Sequence, residues 1–559
     1  MKNLAQIEDP RKPSGIIAAA MNARPSRIAP WLRVVLLLGA CVVVAVLAAL
    51  RCRQDANWDL QNYHFYDPWG WLNGRILDWD IAAAQLQSFH NPLSDVPFYA
   101  LVAAGIDPRT ITAWLALPTG LAAYFAVRIA WRLFGDLAPA ERIGATVAAT
   151  AIGFTGAMGV AQLGSTTDEW LVTAFGMAAL WLLLPPARAT PNAGHAIAAP
   201  LAAGALMGIA SGLKLTAATY AVGLCAALVT RRAQSARNAR DVASYAAGGI
   251  AGLAAAHGAW SYALWTHFGH PLFPYANGFF RSPWWDFHRV LPRQFGPHTA
   301  GDWLLLPFAM LAPQPGFVSE LAYVDARLPT LYALAIVALG GLVIARLSRS
   351  AAGANPRFAT TSPQWRFVAV FAGASFVVWA ITHSIARYTI PLEIVSGMLI
   401  VALFGWLLRP AHAIVAITLA VALLVSTTRP ADWGRTDFGP RWFDVRVPPI
   451  EPGALVLLVV DAPMAYVLPF FPADARHVGV RNNVNAPGRH NRLSEHVAQV
   501  VRDHRGPLYA LSFPPGQGEA DLAAHRLRRV PGGCAGVLTN MPTSPIELCR
   551  LARVDAPAR

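Results

Sequence analysis

Long apolar segments separated by short polar loops are the feature that most restricts what this 559-residue chain can fold into. An α-helix needs roughly 20 mainly apolar residues to cross a bilayer. The mean hydropathy is +0.39, which also indicates a membrane protein. We therefore predict an all-α polytopic membrane protein with about eleven transmembrane helices. Their expected positions are near residues 31–50, 110–131, 142–161, 168–185, 196–212, 214–230, 243–266, 329–346, 366–383, 388–408 and 411–427.

The positive charges predict how these helices are oriented. The formal net charge is +14, but the arginines collect in an N-terminal tail, residues 1–30, and in loops at 231–240 and 346–357. Cytoplasmic loops of membrane proteins carry such an excess of basic residues. We therefore predict a bacterial inner-membrane protein with a cytoplasmic N-terminus and a periplasmic C-terminus. Charges placed this way argue against nucleic-acid binding.

The composition changes near Pro430, and residues 431–559 are predicted to form a small periplasmic α/β domain. Residues 455–460 and 508–513 have the apolar pattern of buried strands, and residues 493–505 have helical periodicity. Cys534 and Cys549 both fall in this domain. An oxidising periplasm would permit a disulfide between them, and the alternative is two unpaired thiols.

The first outer loop, residues 51–95, is unusually rich in acids and aromatics. Its carboxylates lie among several tryptophans and tyrosines. An acid can take a proton from a hydroxyl group while aromatic rings hold a sugar or a lipid head group. The alternative is an interfacial aromatic belt with solvated acids. The carboxylates are Asp55, Asp59, Asp67, Asp78, Asp80 and Asp95.

Two cations stand out because they lie in or beside apolar segments. Lys214 is one of three lysines in the chain and lies among apolar residues, where a cation usually meets an anion. Arg387 begins a late helix, where a guanidinium can bind phosphate through two parallel hydrogen bonds. We interpret both as phosphate contacts. The alternatives are a snorkelling lysine and an interfacial arginine near Glu393.

Asp168 and Glu169 begin another helix on the predicted outer side. Acids stabilise a helix N-terminus without any further function, which is the simpler interpretation. However, these acids map to the same side of the membrane as Asp59, Lys214 and Arg387. We therefore expect a single polar site at the outer leaflet.

Three short motifs resemble the GT-C superfamily of membrane glycosyltransferases, which includes protein mannosyltransferase-like enzymes and the lipid A aminoarabinose transferase. They are Asp59 with Tyr63, the run 90–93 (His-Asn-Pro-Leu), and Arg387-Tyr388 before a proline. The resemblance covers roughly residues 30–430 and implies a GT-C-like transmembrane domain there. Leu60 follows Asp59 where the family has an acid pair, so the choice among Asp55, Asp59 and Asp67 stays open.

The resemblance implies an inverting transfer of a hexosyl or pentosyl group from a polyprenyl-phosphate donor to a glycan, lipid or protein hydroxyl. Asp59 would be the general base, and Lys214 and Arg387 would bind the donor phosphate. The residues expected to bind substrate are Tyr63, Asp168, Glu169, His383 and Tyr388.

No spacing of His and Cys residues indicates a metal site, although a divalent cation near Asp168 and Glu169 stays open. Alternative functions are a transporter or flippase of lipid-linked sugars and a non-catalytic protein of cell-envelope assembly.

Overall fold

A computed structural model describes residues 29–185, 197–230, 235–286, 295–311, 315–347, 362–514, 516–543 and 545–554. The chain is helical up to residue 427 and contains most of its strands after it. The predicted basic tail lies almost wholly outside the described residues. Most side chains of the two basic loops, residues 231–240 and 346–357, also lie outside the described residues.

Helices occupy every apolar segment predicted from the sequence. In chain order they are α1 (Pro30–Arg51), α2 (Tyr66–Leu72), α3 (Val96–Ala103), α4 (Pro108–Leu115), α5 (Leu117–Leu133), α6 (Pro139–Phe154), α7 (Ala157–Ala161), α8 (Glu169–Leu183), α9 (Ala198–Leu213), α10 (Ala218–Val229), α11 (Ser235–Phe268), α12 (Asn277–Phe280), α13 (Ala300–Leu305), α14 (Arg327–Leu347), α15 (Pro363–Thr382), α16 (Ile390–Leu407) and α17 (Pro410–Thr427).

Within the described residues, 6 helical segments are long and apolar enough to cross a membrane. The predicted count of about eleven is therefore not confirmed, because several predicted spans are shorter or broken. The predicted span 214–230, for example, begins with a 3₁₀ turn at Leu215–Ala217. The chain is nonetheless an integral membrane protein. The 6 segments are Pro30–Arg51, Pro108–Leu133, Arg327–Ile344, Pro363–Thr382, Ala386–Leu407 and Pro410–Thr427.

Glycines allow α9 and α11 to pack with their backbones almost in contact. A Cβ atom added at Gly208 would lie 2.1 Å from the carbonyl oxygen of Gly249, and one at Gly204 would lie 2.0 Å from that of Tyr245. Only a residue without a side chain fits such an approach, as in other tightly packed membrane helices. This contact fixes the end of α9, where Lys214 follows.

The C-terminal domain contains a mixed six-stranded sheet with the order β3-β7-β8-β6-β4-β5. The parallel strands β4, β5 and β6 form one side of it, and the remaining strands are antiparallel. The helix Arg492–Asp503 (α18) follows β5, and a short helix, Glu519–Ala524 (α19), follows β6. The strands are β3 (Val445–Arg446), β4 (Leu455–Leu458), β5 (Arg476–Gly479), β6 (Leu508–Ser512), β7 (Leu527–Thr539) and β8 (Ile546–Arg553).

A disulfide joins Cys534 to Cys549 across β7 and β8, with an S–S distance of 2.09 Å. Both cysteines face each other in the register of the antiparallel pair. The bond therefore fastens the two longest strands of the domain.

The first outer loop is built into the C-terminal domain. Gln54–Asp55 (β1) pairs with Arg435–Thr436 (β2), and Ile81 forms a bridge beside β5. Between them, the buried Asp80 accepts hydrogen bonds from Arg75 and from the backbone of His477. The loop that carries Asp59 is therefore enclosed between the helices and the sheet. We call the membrane face that carries this domain the domain face.

Candidate active site

Asp59 and Arg387 form an ion pair at the domain face. Asp59 precedes a π-helical turn, Leu60–His64, and Arg387 lies in a 3₁₀ turn just before α16. Their side chains are 8% and 17% exposed, and Oδ2 of Asp59 lies 2.7 Å from Nη1 of Arg387. Burial by itself would raise the pKa of Asp59, but the Arg387 guanidinium holds it below its ordinary value. Asp59 is therefore ionised at neutral pH.

Lys214 and Glu169 form a second ion pair in the same region. The Nζ atom of Lys214 lies 2.6 Å from Oε1 of Glu169, and both side chains are largely buried. Lys214 ends α9, and Glu169 begins α8. The Nζ atom also lies 5.6 Å from the ring centre of Tyr388. Because Tyr388 follows Arg387 directly and its hydroxyl lies 3.3 Å from Nη2 of Arg387, the two predicted phosphate contacts flank one tyrosine.

His64 and Asp95 form a third buried pair, which the sequence did not reveal. Nδ1 of His64 lies 2.7 Å from Oδ1 of Asp95, and the ring of Tyr63 packs 4.1 Å from the imidazole. Burial would lower the pKa of His64, but the Asp95 carboxylate raises it to about 9. His64 is therefore an imidazolium. In the part of the chain that the structure describes, its Nε2 atom has no hydrogen-bond partner.

His90 lies beside these pairs and is neutral. Its Nε2 atom lies 2.6 Å from the hydroxyl oxygen of Tyr275, and its ring meets that of Tyr63 edge-on at 5.5 Å. Burial, assisted by the Lys214 charge, lowers the pKa of His90 to about 3. The loop that carries Tyr275 therefore forms one wall of the site.

The structure separates the three candidate bases. Oδ2 of Asp55 accepts hydrogen bonds from the backbone nitrogen and the hydroxyl of Thr166, at 2.8 and 2.9 Å, so this carboxylate ties the loop to the start of α8. Asp67 is buried, and neither of its oxygens has a partner among the described residues. Burial, together with the nearby Asp95, raises the pKa of Asp67 well above its ordinary value. Of these three candidate bases, Asp59 is the one whose carboxylate is paired with a site cation in the described structure.

The other predicted substrate contacts lie at the edges of this cluster. Asp168 accepts a hydrogen bond from Ser94 at 3.0 Å. The half-buried ring of His383 lies 5.7 Å from that of Tyr388. A small cavity lies beside the Lys214–Glu169 pair, and its lining includes Glu169, Lys214, Thr216, Tyr388 and Pro391.

Glu393, the alternative partner for Arg387, has a different place. Its carboxylate accepts hydrogen bonds from the backbone nitrogens of Met158 and Gly159, both at 2.9 Å. It therefore caps the short helix α7. The ion-pair partner of Arg387 is therefore Asp59 and not Glu393.

Among the described residues, the side chains whose ligand atoms lie close enough together to hold a metal ion are Cys534, Glu547 and Cys549, in the C-terminal domain and outside this cluster. The two sulfurs in that group are bonded to each other and offer no thiolate. In the cluster itself, the Asp59, Glu169 and Asp95 carboxylates each face a cation.

No protein-family model and no curated protein sequence matches this chain. Among solved structures it is similar to ArnT from Cupriavidus metallidurans, which was determined bound to undecaprenyl phosphate. The identity is 15% and the TM-score 0.51, over 92% of this chain and 97% of that one. It also matches the Archaeoglobus fulgidus oligosaccharyltransferase at 11% identity and a TM-score of 0.37, over 85% and 69% of the two chains. At this identity the similarity shows the fold alone: the chain shares the fold of ArnT, in agreement with the predicted GT-C-like fold.

Proposed function

We propose that this protein transfers a sugar from a polyprenyl-phosphate donor to a hydroxyl acceptor at the periplasmic face of the bacterial inner membrane. The observation that supports this most is the pair of buried ion pairs, Asp59 with Arg387 and Lys214 with Glu169, which share one small region of a GT-C-like fold. Similarity to a structure bound to undecaprenyl phosphate supports the lipid-linked class of donor. The acceptor is a glycan, a lipid or a protein.

Arg387 and Lys214 would bind the donor phosphate. Both cations are already paired with carboxylates, so they stay ordered and charged before the donor arrives. A phosphate oxygen can take some of the hydrogen bonds that these side chains now give to Asp59 and Glu169. Charge-assisted hydrogen bonds of this kind are strong in a site shielded from water.

Asp59 would act as the general base. As the phosphate draws Arg387 away, the pKa of Asp59 rises, so the carboxylate becomes a better base when the donor is bound. It takes the proton of the acceptor hydroxyl while that oxygen bonds to the anomeric carbon. The bond from this carbon to the phosphate oxygen breaks, and the electron pair leaves with the lipid phosphate. Attack from the face opposite the phosphate inverts the anomeric carbon.

The remaining predicted contacts would hold the sugar and the acceptor. Tyr63 and Tyr388 present aromatic faces next to the ion pairs, and sugars pack well on such faces. Asp168, Glu169 and His383 supply polar groups around them. If a divalent cation takes part, Asp168 and Glu169 are the carboxylates that would hold it.

Release of lipid phosphate tests this proposal. Purified protein is mixed with labelled polyprenyl-phosphate sugars and a panel of glycan, lipid and peptide acceptors, and free polyprenyl phosphate is measured. We expect release that depends on an acceptor and is lost in Asp59→Asn. A protein that moves the labelled lipid across vesicle membranes and releases no lipid phosphate would be a transporter, and the proposal would be wrong. The glycans and lipids of a deletion strain would then name the sugar and the acceptor.

A further inference from the structure

We propose that His64, held by Asp95, is a third cationic contact to the phosphate group of the lipid donor. This inference rests on the proposed function. It adds a residue to the donor site that the sequence motifs do not include. Three features of the described structure carry it: an unpartnered ring nitrogen, the position of the ring, and the charges around it.

The unpartnered nitrogen is the first of these features. The His64 side chain is fully buried, and Asp95 engages Nδ1 at 2.7 Å. No hydrogen-bond partner for Nε2 lies among the described residues. A buried polar group without a partner is costly, and such groups are uncommon in native proteins. Nε2 of His64 is therefore available to a bound molecule, and His64 differs from other buried histidines of this kind in lying near Asp59, whose pKa its charge lowers.

The position of the ring supports a donor contact. The His64 ring packs against Tyr63, four residues after Asp59. Arg387, His64 and Lys214, in that order, are the cations that most lower the pKa of Asp59. Arg387 contacts this carboxylate directly, and the charges of His64 and Lys214 act on it from nearby. A phosphate bound by Arg387 and Lys214 would therefore also be attracted by the positive charge of His64.

The charges around His64 decide which kind of atom it can contact. An imidazolium has two N–H donors and no acceptor, so Nε2 can only donate a hydrogen bond. In a buried site, the favoured partner of such an N–H group is an anionic oxygen. The imidazolium cannot accept the proton of the acceptor hydroxyl. Neighbouring carboxylates keep the pKa of His64 near 9, as described above. The groups that face it are Asp95, Asp168, Asp59, Tyr63 and His90.

This contact would strengthen during the reaction. The phosphate in the donor carries two ester bonds, and the released lipid phosphate carries one, so negative charge grows on the phosphate as the sugar leaves. A hydrogen-bonding N–H group placed where negative charge develops stabilises the transition state more than the ground state. His64 would therefore stabilise the departing phosphate more than the intact donor.

Binding of polyprenyl phosphate at different pH values tests the inference. Affinities are measured in detergent between pH 7.5 and 10 for the wild type, His64→Gln, Asp95→Asn and Arg387→Ala, with polyprenol as the ligand without phosphate. At pH 7.5, His64→Gln should bind polyprenyl phosphate roughly ten- to hundredfold more weakly, since one charge-assisted hydrogen bond is lost. The affinity of the wild type for polyprenyl phosphate should fall as the pH rises past about 9, where His64 loses its proton.

The two variants give different pH profiles. His64→Gln should lack the fall near pH 9, because glutamine does not titrate. Asp95→Asn should show the fall at a lower pH, because His64 then loses the carboxylate that stabilises its charge. A purely structural role for His64 would not move the profile in this way. If His64→Gln is poorly folded, the shift in Asp95→Asn still decides the question.

Other outcomes would overturn the inference and separate it from the proposed function. If His64→Gln and the wild type bind polyprenyl phosphate alike while Arg387→Ala binds weakly, His64 is not a phosphate contact and the function stands. An unchanged pH profile in Asp95→Asn leads to the same conclusion. If the wild type binds polyprenyl phosphate no better than polyprenol, the proposed function fails and this inference fails with it.

Discussion

Asp59 and Asp67, two carboxylates of the first outer loop, have pKa values shifted in opposite directions because their surroundings differ. Asp59 is paired with Arg387, which lowers its pKa, while Asp67 is buried with no hydrogen-bond partner among the described residues, and its pKa is raised. Burial disfavours the charged form of an acid, and a neighbouring cation reverses that effect. Asp55 has a structural role, because its Oδ2 atom accepts hydrogen bonds from Thr166 and holds the loop in place. The chemistry of each acid is therefore decided by one or two contacts.

Asp59→Asn should lower sugar transfer by roughly 10²–10⁴-fold, which is the usual contribution of a positioned general base. The amide keeps the shape of the side chain but cannot accept the acceptor's proton. Transfer is measured as release of polyprenyl phosphate, and membrane insertion is checked in parallel. Asp67→Asn is the control and should transfer nearly normally, because neither oxygen of Asp67 has a hydrogen-bond partner among the described residues. An active Asp59→Asn with an inactive Asp67→Asn would show that the base is assigned to the wrong residue.

Lys214→Ala and Arg387→Ala should each weaken binding of the lipid donor, because each removes one charge-assisted contact. The double variant should lose less than the sum of the single losses, since both cations act on one anion. Lys214→Arg should restore binding poorly, because a planar fork replaces a compact ammonium group. Affinity for polyprenyl phosphate is the measurement. Strictly additive losses would indicate that the two cations do not share a ligand.

Helices and turns position these residues more tightly than loops would. Lys214 follows the glycine-mediated contact of α9 with α11. Asn91 from the first loop then donates to the carbonyls of Gly212 and Ala256, at 2.9 and 2.8 Å, and so joins the end of α9 to the interior of α11. Asp59 precedes a π-helical turn, a conformation that is common at functional sites. The cations and carboxylates are thus set by backbone packing.

Gly208→Ala should destabilise the protein by about 1–3 kcal/mol, because the new methyl group would force α9 away from the backbone of α11. Gly258→Ala is the matched control on α11, since a Cβ atom there meets nothing within 4 Å. Thermal unfolding in detergent measures both. We expect a lower midpoint for Gly208→Ala and an unchanged or slightly higher one for Gly258→Ala. Equal midpoints would show that the helix contact tolerates a side chain.

At the scale of the whole molecule, the C-terminal domain acts as a support for the first outer loop. The loop adds a short strand pair at Gln54–Asp55 and a bridge at Ile81. The buried Asp80 accepts hydrogen bonds from Arg75 and Tyr66 within the loop and from the backbone nitrogen of His477 in the domain. Because the same loop carries Asp59 and His64, the domain influences the site without contributing a residue to the ion pairs.

Asp80→Asn should destabilise the contact between loop and domain by about 3–5 kcal/mol, since it leaves buried charges without their partner. Asp78→Asn is the control, because that side chain is 74% exposed. Limited proteolysis of the loop should be faster in Asp80→Asn and unchanged in Asp78→Asn.

The pH dependence provides an independent check of the same contact. Burial would raise the pKa of Asp80, but His477 and Arg75 hold it below its ordinary value. The resulting stability is therefore present at neutral pH and lost in acid. Acid should bring the wild type towards the proteolysis rate of Asp80→Asn. Wild type that stays resistant in acid while Asp80→Asn is cut rapidly at neutral pH would argue against a role for the Asp80 charge.

Hydrophobic patterning in the sequence was enough to predict a membrane protein and the approximate positions of its helices. Hydrophobic length and periodicity are local properties, so they can be read from neighbouring residues. Lys214 and Arg387 were visible for a similar reason, because charges in apolar surroundings are costly. The resemblance in short motifs added the GT-C-like fold.

Tertiary structure decided which of these residues act together. Asp59 and Arg387 are 328 positions apart, and no local pattern predicts that they form an ion pair. His64 and Asp95 were both present in the acidic loop, but their pairing depends on how that loop folds between helices and sheet. Burial and neighbouring charge fix protonation, and both are properties of the packed chain rather than of the sequence.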